Sequence, residues 1–182
     1  MKALKIVSIV IAIIAVALVG MAFYMGLFST LKISEIKTEP MTIVYEEFIG
    51  PYSETGKVFG NLYKTLKTEK IETSRGLGIY FSDPKTTPPE KQKSQCGAIL
   101  GKEQLKMIPE IAKKHKIKTI PQMKALATEL PIKNVLSYMI GPMKAYPALM
   151  KYAQEKGYKT ALAMELYDMR KNVIIYLLEI KK

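Results

Sequence analysis

The sequence predicts an α+β domain made of two strand–helix–strand–strand halves, preceded by an apolar N-terminal helix. Three observations carry this expectation. Residues 6–28 contain no charged side chain. The rest of the chain compares with itself through four successive elements. The matched strands repeat the same alternation of side chains.

The apolar run comes first. At about 1.5 Å per residue, a helix over Ile6–Phe28 reaches roughly 34 Å, enough for a bilayer core of about 30 Å. It is too long for a secretory signal, and the small residues Ala15-Val16-Ala17 lie in its middle. A helix of a globular core would alternate with polar residues. The expectation is an uncleaved single-pass transmembrane anchor over 6–28 that stays in the bilayer. A flank at 1–5 precedes it, and a polar tether at 29–40 ends at Pro40. Lys2 and Lys5 at one end, against Lys32 and Lys37 among Glu35 and Glu39 at the other, lean weakly toward an extracytoplasmic domain.

Residues 41–182 form the expected domain, with halves near 41–100 and 123–182. Ile49-Gly50-Pro51 recurs as Ile140-Gly141-Pro142. A β-rich run precedes each copy, Thr42–Phe48 and Val135–Met139. A helical pattern follows each. In the first it is Val58, Phe59, Leu62, Tyr63 and Leu66. In the second it is Leu149, Met150, Tyr152 and Ala153, with Pro147 in the first turn and Gly157 as the stop. The next strands are Gly76–Asp83 and Thr160–Asp168, matched so that Asp83 falls on Asp168. A further strand closes each half, Gln95–Leu100 and Val173–Ile180. Between the halves, Glu103–Lys114 predicts a helix or turn, and Ile117–Ile120 an extended segment before Pro121.

Strand alternation assigns Leu77, Ile79 and Phe81, with Leu162, Met164 and Leu166, to one face. That face is expected to pack on the helices. Gly78, Tyr80, Ser82, Ala163, Glu165 and Tyr167 take the other. Small residues, tyrosines and one carboxylate make the chemistry of a pocket for an apolar or cationic molecule. Alternation alone equally allows Glu165 as a solvated residue on an open sheet, and the two tyrosines as ordinary strand packing.

Composition narrows the partners. The net charge is +12, but Arg75 and Arg170 are the only arginines, and the lysines are scattered among glutamates. Arginine is the residue that reads phosphates and guanines bidentately. A solvated lysine-rich surface is therefore expected rather than a nucleic-acid site. The lone Cys96 excludes a disulfide scaffold. The lone His115 lies in Lys113–Lys116 and is expected at a solvated surface, which argues against triad, zinc and haem chemistry. Gly76-x-Gly78 lacks the third glycine and the helix of a dinucleotide loop. No cofactor or metal is expected.

Three segments resemble the GyrI-like small-molecule-binding domain family, which includes effector domains of multidrug-sensing regulators. They are Phe48–Glu54, then Gly78–Pro84 with Thr87–Lys91, and Glu165-Leu166-Tyr167. Within the family the likeness is strongest to membrane-anchored animal members that act in autophagy of the endoplasmic reticulum. Those carry a long acidic tail with an adaptor motif, whereas this chain stops at Lys182, so the domain match does not transfer that role. The resemblance implies a duplicated fold with a central cleft, and Glu165 as the carboxylate that holds cationic ligands. It also raises an alternative, hydrolysis of strained electrophiles with Glu165 as the catalytic group, although the chain has no Trp to line such a cleft. An enzyme is the less favoured reading. A membrane-tethered interaction module is the third.

Overall fold

The computed structural model describes residues 2–24 and 30–181, with the side chains of residues 2–4, 18 and 22 outside that description. Helix α1 covers Lys2–Tyr24. Strands β1 (Ser34–Lys37) and β2 (Met41–Ile49) follow, then α2 (Thr55–Thr68), β3 (Arg75–Tyr80) and β4 (Lys93–Ile99). Two short helices, α3 (Lys102–Leu105) and α4 (Ile108–Ile111), lead to β5 (Lys116–Ile120). The chain ends with β6 (Lys124–Pro131), α5 (Ser137–Glu155), β7 (Lys159–Asp168) and β8 (Val173–Lys181).

The eight strands form one antiparallel sheet in the order β1-β6-β8-β7-β3-β4-β2-β5. The two halves are β2-α2-β3-β4 and β6-α5-β7-β8. They meet where β3 pairs with β7, so the duplicated order of elements holds. The short connections then dictate the sheet's shape. Residues 38–40 join β1 at one edge to β2 beside the opposite edge, and residues 121–123 join edge strand β5 to β6. Four Cα steps reach at most about 14 Å, while eight strands laid flat about 4.8 Å apart would put the edges more than twice that distance from each other. The sheet is therefore rolled. Thr38, in the first link, continues the β1–β6 ladder into the second, its N–H donating to the Met123 carbonyl at 2.9 Å.

One face of the rolled sheet closes on itself. Met41, Ile43, Leu77, Ile79, Ile99, Ile120, Ala125, Ala127, Met164 and Leu177 meet there in one buried cluster. Helices α2 and α5 pack on the other face. Leu62 and Leu66 of α2 lie against Val44, Ala98 and Leu100. Ala145, Leu149 and Ala153 of α5 lie against Leu126, Ile174, Tyr176 and Leu178. This reverses the expected assignment of faces. Leu77, Ile79, Leu162, Met164 and Leu166 fill the inside of the roll, and the helices cover the face that carries Glu165. Alternation separates the two faces of a strand but does not say which one receives a helix.

The Ile-Gly-Pro echo is also corrected. Ile49 ends β2, whereas Ile140-Gly141-Pro142 lies inside α5, and the true counterpart of β2 is β6. Val135–Met139 reads as β-rich, yet it leads into helix. The Asn134 side chain accepts the Leu136 N–H at 2.9 Å and so turns the chain. Gly141, Ala145, Leu149 and Ala153, four residues apart, then bury one stripe. Pro147 sits in the helix interior, not in its first turn. Gly157 does end the element, at φ 68°.

Three further expectations change. The tether at 29–40 contains β1, which pairs with β6. His115 is not solvated: its side chain is 7% exposed, with Nε2 2.7 Å from Glu69. The expected span at 6–28 runs beyond α1 into residues 25–28, which lie outside those described. Among the described residues no helix is long and apolar enough to cross a membrane.

Candidate functional site

The pairing of β3 with β7 builds the site. Gly78 stands opposite Glu165, with Gly76 opposite Tyr167 and Tyr80 opposite Ala163. On the far side of β7, Tyr176 of β8 pairs with Glu165. All of these side chains point to the face under the helices. The Tyr80 hydroxyl donates to Glu165 Oε2 at 3.2 Å, and the Tyr167 hydroxyl donates to the same oxygen. The two hydroxyls lie 3.2 Å apart.

The expected residues thus come together, with two qualifications. Gly78 does leave room, but the Tyr80 ring takes it: a Cβ at Gly78 would lie 2.9 Å from the Tyr80 hydroxyl. Ser82 lies past the end of β3. There its N–H donates to the Tyr52 hydroxyl at 2.9 Å, and its Oγ accepts from the Lys93 N–H at 3.0 Å. Ser82 holds the β3–β4 connection and does not join the Glu165 cluster.

The helices supply a roof that the sequence pattern missed. Tyr52, just before α2, stacks edge-on to Tyr80 with centroids 4.8 Å apart. Phe59 of α2 meets Tyr167 at 5.2 Å. Tyr138 of α5 lies 6.0 Å from the Tyr167 ring, and Tyr146 lies 5.7 Å from Tyr176. The Tyr146 hydroxyl donates to the Met164 carbonyl at 3.2 Å. Phe59 was visible as a member of a helical stripe. Tyr138 was hidden because its segment reads as strand.

Burial governs the electrostatics. Glu165 is 5% exposed. Loss of hydration pushes its carboxyl up to about 7, although the hydrogen bonds from Tyr167 and Tyr80 act in the opposite direction. Burial first, and the Glu165 charge second, raise Tyr80, Tyr146 and Tyr167 well above the ordinary phenol value. Cys96, beside Gly78 on β4, is fully buried, and burial pushes its thiol up to about 12. The arrangement is a carboxyl held near its titration point beneath aromatic rings, with neutral hydroxyls as its hydrogen-bond donors. Among the described residues no group of His, Cys, Asp and Glu is arranged to hold a metal ion.

This architecture, two strand–helix–strand–strand halves around one sheet, is the GyrI-like fold. Solved structures share it. The C-terminal domain of EcmrR superposes with a TM-score of 0.56 at 13% identity, covering 84% of this chain and 98% of that one. SAV2435, solved bound to tetraphenylphosphonium, superposes with a TM-score of 0.53 at 14% identity, covering 82% and 94%. In sequence, the chain is 25% identical to human testis-expressed protein 264 over 167 residues, 86% of this chain and 51% of that protein. It is 26% identical to the mouse homologue over 140 residues. The chain therefore spans about half the length of the curated relatives it matches. No family model matches it.

Proposed function

We propose that the domain binds a small apolar cation at Glu165, between the sheet and helices α2 and α5. One observation carries this reading: a buried carboxyl whose hydrogen-bond donors are tyrosine hydroxyls, under a roof of rings. Such a group is costly to ionise. A lipophilic cation offsets that cost by direct charge and by contact with ring faces. The ligand reaches Glu165 by parting Tyr52 and Phe59 from Tyr138, and it takes over the carboxylate from Tyr80 and Tyr167. Ala163 and Gly78 keep the sheet beneath it low. The structure of SAV2435 bound to tetraphenylphosphonium, a chain that shares this fold, supports the reading.

Titration calorimetry with tetraphenylphosphonium tests the reading. Glu165→Gln keeps the shape and removes the charge. It is expected to weaken the cation by about 1–3 kcal/mol, roughly 5- to 150-fold, and to leave neutral triphenylphosphine oxide unchanged. Equal effects on both ligands would refute the site.

We further infer that α1 attaches the domain to a membrane. The charge-free run at 6–28 supports this, as do the side chains of Ile6, Ile9, Ile13 and Val16, each more than half exposed. Alkaline carbonate extraction of membranes is expected to leave the chain in the pellet, and its release would overturn the attachment.

A further inference from the structure

A second apolar surface lies on α5, on the side away from the sheet. Val135, just before the helix, is 76% exposed, Met139 66%, Met143 76% and Met150 50%. Pro147 is exposed between the last two. Positions 135, 139, 143, 147 and 150 each advance by about one helical turn, so they form one stripe that drifts slowly around the helix. The opposite stripe, Gly141, Ala145, Leu149 and Ala153, is the one the sheet buries. Isolated exposed apolar residues are ordinary, but a contiguous row of them marks a contact surface.

Two observations identify what covers it. The first is continuity with α1. The Lys133 ammonium, two residues before Val135, hydrogen-bonds the Tyr24 carbonyl and lies 4.9 Å from the centroid of the Tyr24 ring. The C-terminal end of the apolar helix therefore abuts the start of the α5 stripe. The second is charge. From Leu130 to Gln154 the chain carries Lys133, Lys144 and Lys151 and no Asp or Glu. Glu155, at the end of α5 and 3.9 Å from the Lys151 ammonium, is the one acid beside the row, and the cationic excess suits an anionic lipid surface, where lysine stems lie along the acyl boundary and their ammonium groups reach phosphates.

We propose that the exposed stripe of α5 seats on an anionic bilayer beside α1, and that this contact presents the Glu165 site to the membrane. Tyr138, on the first turn of α5, links the two: it is 40% exposed, and its ring lies 6.0 Å from that of Tyr167. A lipophilic cation partitioned into the leaflet then enters beside Tyr138, without crossing water. The docking rests on the membrane attachment inferred above. It does not depend on the identity of the ligand.

The chain contains no Trp, so one introduced indole is a unique reporter. The full-length Met143→Trp variant is reconstituted into vesicles of phosphatidylcholine and phosphatidylserine that carry brominated phosphatidylcholine. The control is Met107→Trp, a substitution of another exposed Met between α3 and α4. The expected result is a blue shift and loss of emission for Met143→Trp and neither for Met107→Trp, with the difference shrinking when phosphatidylserine is left out. Equal quenching of the two variants would overturn the proposal. So would shielding of the Met143→Trp indole from aqueous acrylamide without bromolipid quenching, since a second copy of the chain would then cover the stripe. Failure of the ligand site reads differently: Glu165→Gln in the Met143→Trp background leaves the quenching intact whether or not tetraphenylphosphonium binds.

Discussion

Glu165 should make the folding stability fall with rising pH in a way that one substitution removes. Its carboxyl lies near 4.5 when hydrated and at about 7 in the fold. Between these values the folded chain keeps a proton that the unfolded chain has released. Stability then drops by about 1.4 kcal/mol per pH unit, about 3 kcal/mol in all. The favourable contribution is complete below pH 4.5, is lost as pH rises through about 7, and is constant above that. Because Glu165 is 5% exposed, solvent screens little of this. Glu165→Gln stays neutral throughout and still accepts from Tyr80 and Tyr167. Urea unfolding of both chains in the same mild detergent, followed by circular dichroism at pH 5 and pH 8, isolates the effect, because every other titrating group cancels in the comparison. The variant should match the wild type at pH 5 and exceed it by about 2–3 kcal/mol at pH 8. A difference that is the same at both pH values would refute the buried, desolvated carboxyl.

Other outcomes follow from neighbouring contacts. Tyr167→Phe removes a donor to the carboxylate. It should cost about 1–3 kcal/mol at pH 8 and less at pH 5, so the same unfolding series would show a steeper fall of stability with pH. Gly141→Ala drives a Cβ into Tyr176, whose Cζ would lie 2.8 Å away. A loss of about 1–3 kcal/mol in thermal or urea unfolding is expected. Tyr176→Phe in the same chain should recover part of it, because it removes a hydroxyl that has no hydrogen-bond partner among the described residues. Cys96 should resist an aromatic disulfide reagent in the folded chain and react once urea exposes it, since it is fully buried with its thiol raised to about 12.

The parts of the fold legible in the sequence were those set by period. The α2 stripe holds, with Leu62 and Leu66 buried. The pairs β3–β4 and β7–β8 fall within a few residues of their expected bounds. Glu165, Tyr80 and Tyr167 were readable as one face because a strand has period two. Tertiary choices were not readable. The sheet's roll follows from links of three residues between its edges, and which face the helices take follows from that roll. The start of α5 has a β-like local composition, and only its buried stripe against Tyr176 and Leu178 makes it helical. His115 read as solvated because its sequence neighbours are lysines, but its partner Glu69 is 46 positions away.

Duplication explains why the site has one carboxylate and two flanking tyrosines. Taking Tyr80 of β3 as the counterpart of Tyr167 of β7 makes Gly76 the counterpart of Ala163. It also puts the pseudo-two-fold axis on the pair Gly78–Glu165. This shifts the match by two residues from the one that sets Asp83 on Asp168, and it keeps every side chain on its own face. Away from the axis both halves contribute alike: a tyrosine and, opposite it, a residue small enough to leave space. On the axis they cannot be alike. A second carboxylate in place of Gly78 would stand beside Glu165 in a site that already makes one charge costly, and like charges at that spacing do not ionise together. Gly78 also admits the Tyr80 ring, which a side chain there would displace. The departure from symmetry is therefore confined to the position where two identical halves would conflict, and that departure supplies the single charge on which the proposed recognition of a cation depends.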